Sequence, residues 1–245
     1  MTKEDLRRKV WTRLKLAGVL SFPGSERRVP NFAGYERAAD LLSELTLWKR
    51  AKSIKISADA PQISLRRRAL REGKTLYVPV PRLRGHQCFV EIDPEKLGKQ
   101  ALRAASVSGA LRLGRLVAPH QLQPIDLIIC GSVAVTRQGA RLGVGGGYSD
   151  LEYAILRKEG KIREYTPILT TVHPLQVIED RVPMRAHDVP VDFLVTPDHV
   201  IAAPSLHPRP RGILWDLLAE DRIRAIPALQ RGRPEARSAP TPRQL

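Results

Sequence analysis

Apolar positions along the chain change their spacing several times, and each change marks an element. Leu6, Val10 and Leu14 recur one helical turn apart, so residues 3–17 predict an amphipathic helix with Thr2 as its N-cap. A basic loop with Pro and Gly spans residues 22–31, and a second helix is expected over about 35–45. Short apolar runs at 53–57 and 75–80 read as strands joined through a turn at 58–62 and a helix at 63–71; Gly73 stops that helix, and Pro79 and Pro81 end the second strand. Residues 88–92 predict another strand and 94–105 another helix. Residues 125–130 form a continuous apolar run, the mark of a buried strand. A helix to about Lys158 and strands at 168–172 and 193–196 complete the pattern, which alternates as in an α/β chain.

One stretch in this pattern carries chemistry. Between the 125–130 strand and the helix that begins near Ser149, Gly143, Gly145, Gly146 and Gly147 fall within five positions, interrupted only by Val144. Without Cβ atoms such a loop reaches φ > 0 and turns consecutive N–H groups toward a phosphate, and the following helix points its positive end at the same anion. Arg141 on one side adds a phosphate clamp, and Asp150 on the other a carboxylate suited to Mg²⁺. As glycines alone, the loop reads equally well as a cradle or as a flexible connection, since its spacing matches neither the P-loop nor the dinucleotide fingerprint.

The run RLGVGGGYSD resembles the signature of the 5-formyltetrahydrofolate cyclo-ligases, also called methenyltetrahydrofolate synthetases, in which Arg-Leu-Gly, a glycine-rich turn, two tyrosines and an aspartate recur. Tyr148 keeps the first tyrosine and Ser149 replaces the second. A second match is His187-Asp188-Val189, which follows a Pro and a polar spacer and precedes the last strand. The opening helix is similar to the family's Lys-x-x-x-Arg helix, with Lys3 and Arg7 in the matching places, and Gly73-Lys74 before a strand ending in Pro also matches. Residues 28–32, Arg-Val-Pro-Asn-Phe, resemble a divergent branch, the methenyltetrahydrofolate synthetase domain-containing proteins. The turn at 58–62 departs from the family's Glu-x-x-Thr pattern: Asp59 is the nearest acid, Gln62 lies close by, and the Thr is absent.

Over residues 3–201 the resemblance implies a three-layer, Rossmann-like α/β domain with a mostly parallel central sheet. It also implies ATP- and Mg²⁺-dependent closure of 5-formyltetrahydrofolate to 5,10-methenyltetrahydrofolate through a phosphorylated formyl group. On that reading Lys3, Arg7, Arg141 and the amides of Gly143, Val144, Gly145, Gly146 and Gly147 hold ATP, with Arg141 and Tyr148 as catalytic candidates. Asp150 and Asp188 hold Mg²⁺, and Asp59, Gln62, Tyr148 and Ser149 meet the reduced folate. The nucleotide half matches the family better than the folate half, so a nucleotide-binding relative with another substrate is the alternative.

Composition adds a second alternative. Forty-one Lys and Arg against 25 Asp and Glu give a net charge of +16, the footprint of anionic ligands or of RNA, although no aromatic RNA-recognition motif is present. Arg66, Arg67 and Arg68 read as a solvated face, whereas Arg82 and Arg84 sit at a strand end where α/β sheets bind ligands. Cys88 and Cys130 are too few for a disulfide framework and are expected as buried thiols. The charged opening helix and the lack of a long apolar run lead to the expectation of a cytoplasmic protein without membrane contact. His173, at a strand end, receives no role. The expected division is one domain over 1–203, a Pro-rich link and short helix over 204–230, including a helix at 212–224, and a disordered basic tail over 231–245. Oligomeric state is not specified by any of these features.

Overall fold

The computed structural model describes residues 1–22, 27–204, 207–231 and 233. Helix α1 (Lys3–Leu16) is opened by a reciprocal cap: the Asp5 amide donates to Thr2 Oγ1 (3.1 Å) and the Thr2 amide donates to the Asp5 carboxylate (3.0 Å). Helices α2 (Tyr35–Glu44) and α3 (Thr46–Arg50) precede β1 (Ser53–Ile56), α4 (Ile63–Arg71), β2 (Thr75–Pro79) and β3 (Phe89–Ile92). Then come α5 (Pro94–Leu97), α6 (Val107–Leu113), β4 (Arg115–Val117) and β5 (Leu127–Cys130). A small hairpin, β6 (Ala134–Val135) with β7 (Arg141–Leu142), leads into α7 (Tyr148–Lys158), β8 (Ile168–Thr171), β9 (Phe193–Val195) and β10 (Val200–Ala202). The chain closes with α8 (Glu220–Ala225) and α9 (Pro227–Gln230).

The main sheet has the order β10-β9-β8-β5-β1-β2-β3-β4. Its five central strands, from β9 to β2, are parallel, and β10 on one side and β3 with β4 on the other add antiparallel pairs. Such strands are covered on both faces, which accounts for the unbroken apolar run in β5. Its residues alternate between two cores, as the two-residue period of a strand requires: Leu127 and Ile129 join α2, α3, α4 and α6, while Ile128 and Cys130 join α7, α8 and α9. The result is the three-layer α/β arrangement with a mostly parallel sheet. A third, smaller core forms where Leu6, Val10 and Leu14 of α1 pack on the β6–β7 hairpin.

Three local expectations change. The helix expected over 94–105 ends at Leu97, because Gly98 takes a left-handed φ of 52°, and the chain continues as a 3₁₀ helix, Gly98–Ala105. The glycine loop follows β7, not β5, since the hairpin intervenes. The helix expected at 212–224 divides into a 3₁₀ turn, Trp215–Leu217, and α8, whose Ile223 is buried in the core with Ile226 and Leu229. Arg209 secures this last segment by pairing with Asp192 (2.5 Å) and donating to the carbonyl of Thr166 (3.0 Å). Except for Arg231 and Arg233, the expected tail lies outside the described residues. Cys88 and Cys130 are free and buried, and desolvation pushes the Cys88 thiol up to about 12.

Candidate functional site

From β1 the chain passes through α4 to β2 on one side, whereas β5, β8 and β9 build outward on the other, so the sheet reverses its winding between β1 and β5. In an open α/β sheet the crevice beyond the strand ends at such a point is where ligands bind. Here Asp59 follows β1 and Gly131 follows β5. A Cβ on Gly131 would lie 2.2 Å from the Asp59 carboxylate, so glycine is what lets that carboxylate sit between the strand ends.

Two cavities open there and share Arg141, Gly143, Gly147 and Asp150 as a common wall. The larger, about 600 Å³, brings together Lys3, Arg7, Arg141, Gly143, Gly145, Gly147, Asp150, Arg185, His187 and Asp188 from α1, the glycine loop and the 183–188 turn. Arg7 donates through Nε to the Gly143 carbonyl (2.7 Å), tying α1 to the loop. Gly145 and Gly147 take φ of 103° and 64°, which place the loop against the first turn of α7 and would strain any other residue.

Three ion pairs already stand in this cavity, Lys3 with Asp188, Arg7 with Glu4 and Arg141 with Asp150. Arg141 is buried, and its Nη2 lies 2.6 Å from Asp150 Oδ1, which also accepts from the Val189 amide at 3.0 Å. Burial works against the Arg141 charge, but Asp150 and the other groups around it, Asp188 among them, together outweigh burial and hold the guanidinium pKa above its ordinary value. Lys3 pairs with Asp188 Oδ2, which also takes the Arg185 amide. Among the described residues no three His, Cys, Asp or Glu side chains gather to hold a metal ion. Mg²⁺ needs no such cage, because one or two carboxylates with phosphate and water complete its shell. Among the described residues Asp150 accepts hydrogen bonds on Oδ1 and Asp188 on Oδ2, with His187 Nε2 3.8 Å from Asp188 Oδ1, so each carboxylate keeps an oxygen for the ion, a donor set that fits it.

The smaller cavity, about 210 Å³, is lined by Asp59, Val144, Gly146, Tyr148 and Ser149, together with Val29, Arg82 and Glu152. Of the expected folate contacts, Gln62 is absent from both cavities. It is fully buried on the 3₁₀ turn Ala60–Gln62, where its amide donates to Thr171 on β8 (3.1 Å) instead of facing the ligand space. Arg66 departs from the expected solvated face. It is buried, donates to the carbonyls of Ala105 (2.7 Å), Ser57 (2.5 Å) and Asp59 (3.0 Å), and so fixes the turn that carries Asp59; burial lowers its pKa to about 10. Arg67 remains exposed.

Several site residues escaped the sequence reading. Lys55, in the middle of β1, forms a buried pair with Glu152 of α7 at the floor of the smaller cavity. Lys55 stands between two buried isoleucines in a central strand, and a cation there requires a buried partner; that was the signal available. Arg82, expected at a ligand-binding strand end, does line the cavity rim, and only its left-handed φ of 60° has no sequence signature. Val29 carries the motif at 28–32 into the cavity wall. Arg222 of α8 donates to the Gly146 carbonyl and stacks over the Tyr148 ring at 4.0 Å, a contact that nothing in its local sequence announces.

Comparison with known proteins agrees with this architecture. The model of the 5-formyltetrahydrofolate cyclo-ligase family matches residues 2–197. A methenyltetrahydrofolate synthase domain-containing protein of Danio rerio is 36% identical over 236 residues, covering 94% of this chain and 61% of its own length. One from Bos taurus is 35% identical over 233 residues, with 94% and 61% covered. The chain thus spans about three fifths of these relatives. The solution structure of 5,10-methenyltetrahydrofolate synthetase from Aquifex aeolicus superposes with a TM-score of 0.53 at 25% identity, covering 83% of this chain and 93% of that one. With four fifths of its length matched by the family model, the chain belongs to the 5-formyltetrahydrofolate cyclo-ligase family.

Proposed function

We propose that the protein closes 5-formyltetrahydrofolate to 5,10-methenyltetrahydrofolate at the expense of ATP, with the polyphosphate in the larger cavity and the pterin in the smaller. The observation that carries this reading is the shared wall: a basic cavity and an Asp59-lined cavity meet at Arg141, Gly143, Gly147 and Asp150, so a phosphoryl donor and a formyl acceptor bound on either side face one another.

The formyl oxygen is a poor leaving group. Its attack on the γ-phosphorus breaks the bond to ADP; N10 then attacks the formyl carbon, loses its proton, and phosphate departs with the oxygen. The protein's part is to position the reactants and neutralise charge. Lys3, Arg7 and the loop amides hold the phosphates, and Arg141, fixed by Asp150, places its charge at the junction where the phosphoryl group passes. Asp150 and Asp188 would hold Mg²⁺, whose positive charge would offset that of the phosphates. Asp59 accepts from the N–H edge of the pterin, Tyr148 lines the boundary, and Arg82 at the rim suits the substrate's glutamate carboxylates.

The test is to follow methenyltetrahydrofolate absorbance and phosphate release together with ATP, Mg²⁺ and 5-formyltetrahydrofolate, using Asp150→Ala as control. Both signals are expected to rise and to be lost in the variant. ATP binding without either signal would assign the same cavity to a different acceptor and overturn the folate reading.

A further inference from the structure

A third cavity lies on the far side of the glycine loop. It is about 160 Å³ and has apolar walls: Leu151 and Ala154 of α7 on one side, and Ile213, Leu214, Leu217 and Leu218 on the other. That second wall lies beyond the residues matched by the family model. The wall is firmly built, because Ile213, Trp215 and Leu218 pack against the same core as Ile223, Ile226 and Leu229. Leu217 nevertheless leaves 57% of its surface exposed, an uncovered apolar group at the cavity. Gly145, Gly147, Asp150 and His187 line both this cavity and the basic one, so the two are continuous around the loop. Arg222 is fixed at its edge between the Gly146 carbonyl and the Tyr148 ring.

We propose that this cavity is the base subsite of the nucleotide site, where the C-terminal segment covers the planar heteroaromatic base of a nucleoside triphosphate whose phosphates lie in the basic cavity. The inference rests on the nucleotide reading above and adds to it where the base goes and which segment holds it. Clefts that hold whole drug-sized ligands run to roughly 300–1,000 Å³, so 160 Å³ beside a 600 Å³ basic cavity has the dimensions of a ring annex to a phosphate site. A base has apolar faces and polar edges. Leucine and isoleucine walls match its faces, and the fixed guanidinium of Arg222 offers donors and a stacking plane at an edge. The pterin is assigned elsewhere, because the Asp59 cavity lies on the Tyr148 and Ser149 side of the loop.

Inorganic tripolyphosphate, which has no base, separates the two parts of the site. Titration of the full chain by calorimetry, with Mg²⁺ present, is expected to show ATP binding at least about tenfold tighter than tripolyphosphate, the scale set by burying a ring against leucine side chains. Leu217→Ser and the double variant Leu214→Ser/Leu217→Ser should bring ATP down toward tripolyphosphate while leaving tripolyphosphate within about twofold of its original affinity. In the unaltered chain, the methyl resonances of Leu214 and Leu217 should shift with ATP and stay in place with tripolyphosphate, a readout independent of how the variants fold. Equal affinity for the two ligands, or methyl signals unmoved by ATP while it binds, would overturn the base subsite and leave the phosphate cavity standing. Failure of both ligands to bind would overturn the nucleotide reading together with this proposal.

Discussion

The two halves of the site share one wall but handle charge in opposite ways. In the phosphate cavity two of the ion pairs reach the mouth: Lys3 keeps 21% of its side chain exposed above a buried Asp188, and Arg7 is paired with a Glu4 that is 62% exposed. An incoming polyphosphate reaches those two cations from their solvent side. Beneath the Asp59 cavity the Lys55–Glu152 pair is sealed, at 2% and 8% exposure, and burial raises the Glu152 pKa in spite of the lysine beside it. No ligand exchanges with that pair without opening the core. The same attraction is therefore a ligand handle on one side of Asp150 and a fixed floor on the other.

Substitution at the floor should have the largest effect. Lys55→Met leaves Glu152 buried without its partner and is expected to cost about 3–5 kcal/mol in urea unfolding, whereas Lys55→Met/Glu152→Leu should recover most of the loss. Lys3→Met is the matched change at the mouth. It should cost about 1–3 kcal/mol of stability, less than the floor because Asp188 keeps the Arg185 amide, while ATP affinity falls roughly tenfold to a hundredfold, as for a charge-assisted phosphate contact. A Lys3 variant that lost as much stability as the Lys55 variant would erase the distinction between handle and floor.

The same contrast explains what the sequence could and could not tell. The mouth is made of residues close in sequence or repeated in type, namely the Gly143–Gly147 loop with Arg141 and Asp150 flanking it, and the helix-turn spacing of Lys3 and Arg7. Their chemistry is legible because local geometry places them. Alternating apolar runs likewise indicated the central strands and α4. The floor is assembled from β1, α7 and the buried Arg66, and the outer wall from α8, over sequence separations of 97 residues for Lys55 to Glu152 and 76 for Gly146 to Arg222. Pairings across such distances are set by how layers stack, and single-sequence periodicity does not encode them. Gln62 shows the same limit in reverse. Its chemistry suits a pterin edge, but a 3₁₀ turn directs its amide to Thr171.

The folate side is also where the family signature departs, and restoring it should have a smaller, favourable effect. Ser149 lines the Asp59 cavity and is only partly buried, so a larger ring has room to turn toward the ligand space. Ser149→Tyr is expected to tighten 5-formyltetrahydrofolate binding by about twofold to tenfold, the range of one aromatic contact, with ATP affinity unchanged in the same titration. Equal tightening of both ligands would mean that the substitution acts on the shared glycine loop and not on the folate face.

The smallest expected effect lies outside both cavities, at His173 after β8. Its ring stands edge-on to Phe32 at 6.1 Å, and its Nδ1 accepts the Leu175 amide at 3.1 Å, capping the short turn Pro174–Gln176. Partial burial lowers its pKa below the ordinary 6.5. A proton on Nδ1 would turn that acceptor into a donor, so the capped fold favours the neutral ring. The unfolded chain therefore binds the proton first as pH falls. The contribution of His173 to stability is complete above 6.5 and declines as pH drops through that value toward the folded pKa. His173→Asn keeps a side-chain acceptor for the cap and removes the titration, so its unfolding free energy should fall less steeply than that of the unaltered protein between about pH 7 and pH 5. Parallel pH profiles for the two proteins would show that the ring titrates alike in the folded and unfolded chains, and that the cap does not favour the neutral ring.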